Sequence, residues 1–585
     1  MHRSVLALSL SFVVAVPAYA QDWKSNVDGL IRTFRARQAP TGALGDGTVR
    51  GTAKVLTAAA HSHRMYGTTD GPWIRNALKH LIAHRQENGT FRGGNGDDAT
   101  VTTQWVVEAL SIVDPVAFTT ELDAARKSLG EKAKALPFEA AVDELRAAVA
   151  AGKTLKELVA DVATATARGP VLGSDGEFDG AASTDALVRL VAAQVASKPK
   201  RTPPEATPAP TGAWSEAQQK GFDYLLRNQK DGVFHVKTPG GEVPTLELTA
   251  LGLAALQTKP RALRSPEEAT TIEKGLTWVL GQQNEDGSFG FTTLNYVTSA
   301  AIAAFTADAD RPAEAKAKIE PSLQRAQQYL LGIQHTEDRG FTRSDRDYGS
   351  IGYGSSERGD LSNLQFALEG LHRTGLPKGH EAYTAAISFL QRTQNLREVN
   401  DFKARTRNPD EGGEWQTLTS GDDGGAAYYP GNSPFGYVEL ADGSKYPRSY
   451  GSMTYALLKA YTLCGVKPDD VRIKAAIDWI GRNWTLDENP GAAPNAPKAE
   501  RYQGLYYAYM VMAQALDIAG IDKLTTQTES GAKVEVDWRA DLRKHLTSVQ
   551  AADGSWVNDR NGRWWEDRAL LCTIYALLAL DRTDR

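Results

Sequence analysis

Apolar positions from about residue 214 onward recur at i, i+3 and i+4, the period of a helix with one buried face. Each such stretch stops at a glycine turn, which supplies the positive φ that ends a helix. An aromatic follows the turn, and then a second helical stretch of different texture. Leu248–Leu256, Ser299–Phe305, Leu364–Leu371, Thr454–Tyr461, Tyr506–Leu516 and Leu571–Leu580 are rich in Ala, Leu and small residues nearly all round. That texture predicts helices buried on several sides. The unit repeats with recognisable residues. Lys220-Gly221 leads to Tyr224, Gln229, Asp231-Gly232 and Phe234; Lys274-Gly275 leads to Trp278, Gln283, Asp286-Gly287 and Phe289. Arg325-Ala326 leads to Tyr329, Gln334 and Gly340-Phe341, and Arg543 to Gln550, Asp553-Gly554 and Trp556. Two weaker copies lie between, one with Phe389 and Gln394, the other with Trp479, Trp484 and Asn489-Pro490-Gly491. The pattern predicts an all-α chain whose C-terminal part is an α/α toroid of six outer and six inner helices.

The first part of the chain predicts a smaller α/α array of the same kind. Gln38 with Gly42, Gln86 with Asn88-Gly89 and Phe91, and Asp175-Gly176 with Phe178 mark its turns. Helical segments are expected near 52–66, 99–112 and 182–196, and the Ala-, Glu- and Lys-rich stretch at 120–168 is helical in period. The resulting division is 1–20 signal peptide, 21–196 helical array, 197–213 proline-rich linker and 214–585 toroid. The signal peptide is read from His2 and Arg3, the apolar run Val5–Val16 and the small-x-small site Ala18-Tyr19-Ala20. It predicts export to the periplasm or beyond, without a transmembrane anchor in the mature chain. The linker is read from the proline density of 198–210.

Composition narrows the partners. A net charge of −5 with interspersed signs gives no basic stripe for nucleic acid. Two cysteines, Cys464 and Cys572, are too few to organise the fold and read as free, buried residues. His80 and His84 share a helix face, but with no acid between them they read as exposed surface residues. No cofactor and no metal is expected.

The basic–small–x–x–aromatic–apolar, Gln, Gly-x-aromatic units resemble the QW repeats of squalene–hopene cyclases, whose toroid the prenyltransferase β subunits share. The whole chain is similar to exported bacterial prenyltransferase and squalene oxidase repeat proteins, in which segments like Arg358–Asn363, Ser449–Tyr455 and Leu486–Gly491 recur. The resemblance implies a terpenoid-cyclase-like fold. The chemistry of that family is carried by motifs this chain lacks. Class II cyclases protonate an alkene with Asp-x-Asp-Asp; the nearest segments, Asn95-Gly96-Asp97-Asp98 and Ser420-Gly421-Asp422-Asp423, lack the first Asp. Zinc prenyltransferases require an Asp two residues before a Cys, and neither cysteine has one. The Gly-Cys-Gly-Glu-Gln thioester motif is absent as well.

In a toroid the loops leading into the inner helices converge at one mouth, where a cavity is expected. These loops carry Glu247, Asn295, Tyr296, Arg358, Asp360, Ser362 and Asn363, then Tyr446, Arg448, Tyr450 and Ser452. They continue with Tyr502, Gln503, Tyr506, Tyr507, Trp564, Trp565, Glu566, Asp567 and Arg568; an insertion adds Asp422, Asp423, Tyr428 and Tyr429. The candidate acids are Asp97, Asp98, Glu247, Asp360, Asp422 and Asp423, with Glu566 and Asp567 beside them. The candidate ligand contacts are Tyr296, Arg358, Asn363, Tyr446, Arg448, Tyr450, Tyr506, Tyr507, Trp564, Trp565 and Asp567. Against each acid stands the simpler role of a helix cap. Three functions remain open at this point. One is a toroid that binds an isoprenoid, lipid or partner in an aromatic-lined cavity, without standard cyclase or zinc prenyltransferase activity. The second is a cyclase-type isomerase with a degenerate Asp motif. The third is a secreted glycan-active barrel using a carboxylate pair. An envelope-protein partner is the non-catalytic variant of the first.

Overall fold

The computed structural model describes residues 23–584 apart from 68–71, 94–97, 115–116, 135, 168, 198–213, 239–240, 355–357, 408–414 and 528–532. The expected signal peptide, the proline-rich linker and Asp97 lie outside the described residues. The chain divides into two compact units, 1–198 with 236–243, and 199–235 with 244–585.

The first unit is helical. Helices Val49–His61, Ala99–Val113, Pro137–Ala150 and Gly180–Ala196 pack together, and Lys24–Ala36, Pro72–Ala83, Thr119–Leu129 and Ala160–Thr166 lie against them. Glu108, buried in this unit, accepts from the amides of Phe138 (2.9 Å) and Glu139 (3.1 Å) and so closes the start of Pro137–Ala150. The histidine expectation is corrected here: His80 is buried, with its ring 4.6 Å from that of His84. The helix turns that face inward because Trp73, Ile74, Ala77 and Leu81 must be buried.

The second unit is the toroid. Its inner helices are Leu246–Leu256, Leu294–Thr306, Leu361–Arg373, Gly451–Leu463, Leu505–Ile518 and Ala569–Thr583. Each packs on the next, and the sixth packs on the first, which closes the ring. The outer helices are Glu216–Arg227, Pro266–Leu280, Ala313–Gly332, Glu381–Thr393, Val471–Arg482 and Trp538–Ser548. A four-stranded sheet, in the order 404–407, 415–418, 445–447, 437–439, decorates the loop between outer helix four and inner helix four.

One side-chain arrangement joins consecutive repeats. Gln283 Nε2 donates to Gly287 O and to Ser322 O of the next outer helix, both at 2.9 Å. Gln334 does the same with Gly349 O (3.0 Å) and Ala382 O (2.9 Å), and Gln394 with Gly424 O (3.0 Å) and Arg472 O (2.9 Å). Gln550 joins Gly554 O to Ala217 O, so the last repeat is fastened to the first by the same bond pair. The glycine is required twice over. At Gly287 φ is +88°, and a Cβ would lie 2.4 Å from Arg325 O. The residue after the glycine–x pair then donates its amide to an inner-helix threonine: Phe289 to Thr298 and Trp556 to Thr573, both at 3.0 Å. The third copy differs from its sequence reading. Its turn glycine is Gly349, not Gly340, because Gln334 reaches Gly349 O across an insertion. Phe341 instead stacks on His335, with centroids 4.3 Å apart.

Replacing Gly287 by Ala is expected to destabilise the toroid by more than about 2 kcal/mol, since the left-handed backbone and the close carbonyl both oppose a Cβ. Gly443→Ala, at φ +79° with open space around it, should cost only about 1 kcal/mol. Urea unfolding of the two variants measures the difference.

Candidate functional site

All six inner helices run in the same direction, since each follows one outer helix. Their N-terminal ends therefore meet at one mouth. Tyr296, in the first turn of inner helix two, lies 2.6 Å through its hydroxyl from Ser362 Oγ on helix three. Ser362 Oγ is in turn 2.7 Å from the Tyr507 hydroxyl on helix five, to which Gln365 also donates at 3.3 Å. Three helices thus hold one continuous run of hydroxyls. Aromatic rings surround it: Tyr296 meets Phe366 edge-on at 5.0 Å and Tyr353 at 5.6 Å, and Tyr507 meets Tyr575 at 6.1 Å. The Tyr353 and Tyr428 hydroxyls are 3.4 Å apart. Burial, followed by mutual proximity and Asp360, pushes the phenols of Tyr296, Tyr428 and Tyr507 up. They remain neutral groups able both to donate and to accept.

Asp360 sits beside this run as the N-cap of inner helix three. It accepts from the Asn363 amide and from Asn363 Nδ2, both at 2.9 Å, and from the Tyr428 hydroxyl. Burial pushes its carboxyl up, against the pull of these donors and of Arg358. Glu566 plays a matching part from a neighbouring repeat. Inner helix five begins at Gly504 without a side-chain cap of its own, and Glu566 accepts from the Tyr507 amide at 2.8 Å and from Asn558 Nδ2 at 2.7 Å. Burial pushes the Glu566 carboxyl up to about 7, although the amides of helix five oppose it. Inner helix four is closed in the same way by Asn489 Oδ1, which accepts from the Ser452 amide at 2.9 Å.

One turn further along the ring axis the chemistry changes. Lys459, whose side chain is 0% exposed, donates to Gln365 and Gln514 at 2.7 Å and to Glu369 at 2.5 Å. Burial alone would push Glu369 up, but Lys459 and Arg373 hold it below the usual carboxylate range. The Lys459 ammonium lies 5.8 Å from the Phe366 ring. Below it a cavity of about 90 Å³ is lined by Glu369, Arg373, Gln514 and Arg582 among others. The inner face of the ring therefore carries hydroxyls and aromatic rings toward the helix N-termini, a lining termed the cup, and paired charges further toward the C-termini. Periodicity did not reveal that charged end, although Lys459 is the one Lys, Arg, Asp or Glu in Gly451–Leu463.

The structure brings together Tyr296, Asp360, Asn363 and Tyr507 from the expected set, with Ser362 and Tyr428. It adds Tyr353, Phe366, Gln365 and Tyr575. The other expected residues are spread out. Asp98 caps Ala99–Val113 in the first unit, accepting from the Thr100 and Val101 amides. Asp422 is exposed and accepts from the Arg397 amide; Asp423 accepts from the Gly425 amide and from Ser449 Oγ. Glu247 is half-buried in the first turn of inner helix one. Tyr446 packs over Gly421, Tyr450 stacks on Phe435 at 4.6 Å, and Tyr506 packs on Tyr509 at 5.5 Å. Arg448 Nε is buried without a hydrogen-bond partner. Arg358 stands over the Tyr429 ring at 4.8 Å, outside the cup. Asp567 is exposed, as are Trp564 and Trp565. Both tryptophans hold positive φ, +57° and +67°, a strained backbone for a large residue. Among the described residues no group of His, Cys, Asp and Glu is placed to hold a metal.

No protein-family model matches the chain, and no curated protein matches it. Among solved structures it is similar to a protein from Actinoplanes (14% identity, 63% of this chain, 98% of that one, TM-score 0.33). It is also similar to a variant of the type II terpene cyclase MstE from Scytonema bound to geranylgeranyl dihydroxybenzoate (13%, 63%, 96%, 0.33). A third is ent-copalyl diphosphate synthase from Streptomyces platensis (15%, 62%, 91%, 0.24). At these scores the likeness carries no argument, and the toroid rests on this chain's own helix packing.

Glu566 gives a pH dependence with a definite sign. A carboxyl whose folded pKa lies above its unfolded one stabilises the fold below the unfolded value, and that contribution is lost as pH rises through the folded value. From about 4.5 to about 7 the wild type should lose up to about 3 kcal/mol relative to Glu566→Gln, as read by chemical unfolding at each pH.

Proposed function

We propose that the toroid binds one apolar molecule with a hydroxyl or similar oxygen at its end, of isoprenoid or lipid type, in the tyrosine-lined cup. The observation that carries this reading is the Tyr296–Ser362–Tyr507 hydroxyl run set among aromatic faces. Such a wall accepts an apolar body and one polar handle. The way in is the same mouth, where Phe291 is 96% exposed and Trp564 and Trp565 are 47% and 54% exposed. Strained, exposed aromatics are what a ligand-handling rim retains at a cost to stability. The segment 1–20 is read as an export signal, which places this binding outside the cytoplasm. No helix among the described residues is long and apolar enough to cross a membrane.

Binding is favoured over hydrolysis because the buried carboxylates are occupied. Both Asp360 oxygens and both Glu566 oxygens accept protein hydrogen bonds. Asp423 is likewise bonded to Ser449 and Gly425. A glycan-cleaving pair needs one carboxylate free to meet water or the sugar. A second reading, proton donation to an alkene, is supported by one feature: Asp360 is fully buried and its carboxyl is pushed up. The proton would pass to an alkene carbon and leave a carboxylate held by Asn363 and Tyr428.

Titration with geranylgeraniol, followed by intrinsic fluorescence, tests binding. Removing one hydroxyl with Tyr507→Phe should weaken it about fivefold to tenfold, the worth of one hydrogen bond. Binding that is absent, or indifferent to Tyr507→Phe and Ser362→Ala, sinks the proposal. For the second reading, cyclised product from geranylgeraniol or squalene must appear with wild type and vanish with Asp360→Asn.

A further inference from the structure

A wide cavity in the toroid unit lies outside the cup. It is a cleft of about 1330 Å³ between the insertion of the third repeat and the loop that carries the four-stranded sheet. Five cationic side chains and three carboxylates line it, in a chain whose net charge is −5. Two of the cations are gathered on one ring: the Arg346 and Arg358 guanidiniums lie 5.4 Å and 4.8 Å from the Tyr429 centroid. The ring's π density holds both cations at this end of the cleft, and Asp347 fixes Arg346 by accepting from its Nε at 3.0 Å and its Nη2 at 2.7 Å. The result is a fixed positive seat. Guanidinium groups pair with carboxylates in a planar, bidentate fashion that a diffuse charge does not match.

The rest of the cleft is not a plain anion site. The segment that carries Arg346 is held in place, because Arg392 is tied to Asp401 at 2.8 Å and to the carbonyls of Asp345 and Arg343, both at 2.7 Å. Flat apolar surfaces and hydrogen-bonding groups both line it. Phe341 is held by its stack on His335, Tyr437 is 40% exposed, and Asn432 and Ser344 share the lining with them. Aromatic faces suit the C–H face of a sugar ring, carboxylates and amides suit its hydroxyls, and the paired arginines suit a ring carboxylate. An acidic peptide uses the arginines but leaves the flat aromatic surfaces and Asp345 without a match.

We propose that this cleft binds an acidic oligosaccharide, with a sugar carboxylate at Arg346 and Arg358 and sugar rings on the neighbouring aromatics. The site is separate from the cup: Tyr428 belongs to the cup and its neighbour Tyr429 to the cleft. The proposal does not depend on what the cup holds.

The test is calorimetric titration of the full chain with tetragalacturonate, maltotetraose and tetraglutamate. Tetragalacturonate should bind at least about tenfold more tightly than either of the others, and Arg358→Gln should weaken it about fivefold or more. Arg358 is exposed, so the variant keeps its fold, and a melting curve verifies this. Tyr437→Ala, also at an exposed ring, should weaken it as well. Absence of tetragalacturonate binding overturns the proposal. So does equal binding of tetraglutamate, which would make the cleft a general anion or peptide site. Binding unchanged by both substitutions overturns it too.

Discussion

The toroid depends on a side-chain amide that reaches two carbonyls at once. At the end of an outer helix Gln283, Gln334, Gln394 or Gln550 holds its own turn glycine and the backbone of the next outer helix. The bond is possible only because the turn glycine lets two backbones touch. Each pair is worth on the order of 1–3 kcal/mol, modest against the apolar burial around it. Its effect is geometric. It fixes the rotation from one repeat to the next at four of the six junctions; at the first, Gln229 bonds Leu226 O instead, and the fifth repeat has Trp484 in the glutamine's place. The ring closes with Gln550 on Ala217 and the sixth inner helix on the first.

Closure determines where chemistry can occur. Six helix N-termini at one mouth leave many amides without partners inside their own helices. Acceptors from the same or a neighbouring repeat satisfy several of them: Asp360, Asn489 and Glu566. Asp360 and Glu566 are candidate acids in the sequence because they lie on the loops entering the inner helices. Their hydrogen bonds show that they hold helix ends in place. The layer that these caps position is that of the phenols and Ser362, with the Lys459–Glu369 pair further along the same helices.

The repeat pattern made the ring legible in the sequence, because a period of 3.6 and a glycine turn are local signals. The helix textures separated inner from outer correctly. The third repeat was misjudged, since an insertion moved its working glycine from Gly340 to Gly349 and only the Gln334 contact reveals it. The mouth residues were placed on the right loops, yet loop membership does not give direction. Arg358 is two residues from Asp360 and lies over Tyr429, outside the cup. Phe366, Lys459 and Tyr575 were not singled out, because inner-helix positions facing the axis have the same spacing as those facing the outer ring. Only the closed ring shows which side is which.

The central claim is that the cup holds a molecule. Native mass spectrometry of the intact protein, purified from its own source without added ligand, addresses it directly. The account predicts one bound apolar molecule bearing oxygen, at one per chain, lost when Tyr507 and Ser362 are both replaced. A chain that carries nothing, or carries the same molecule after both replacements, would contradict it.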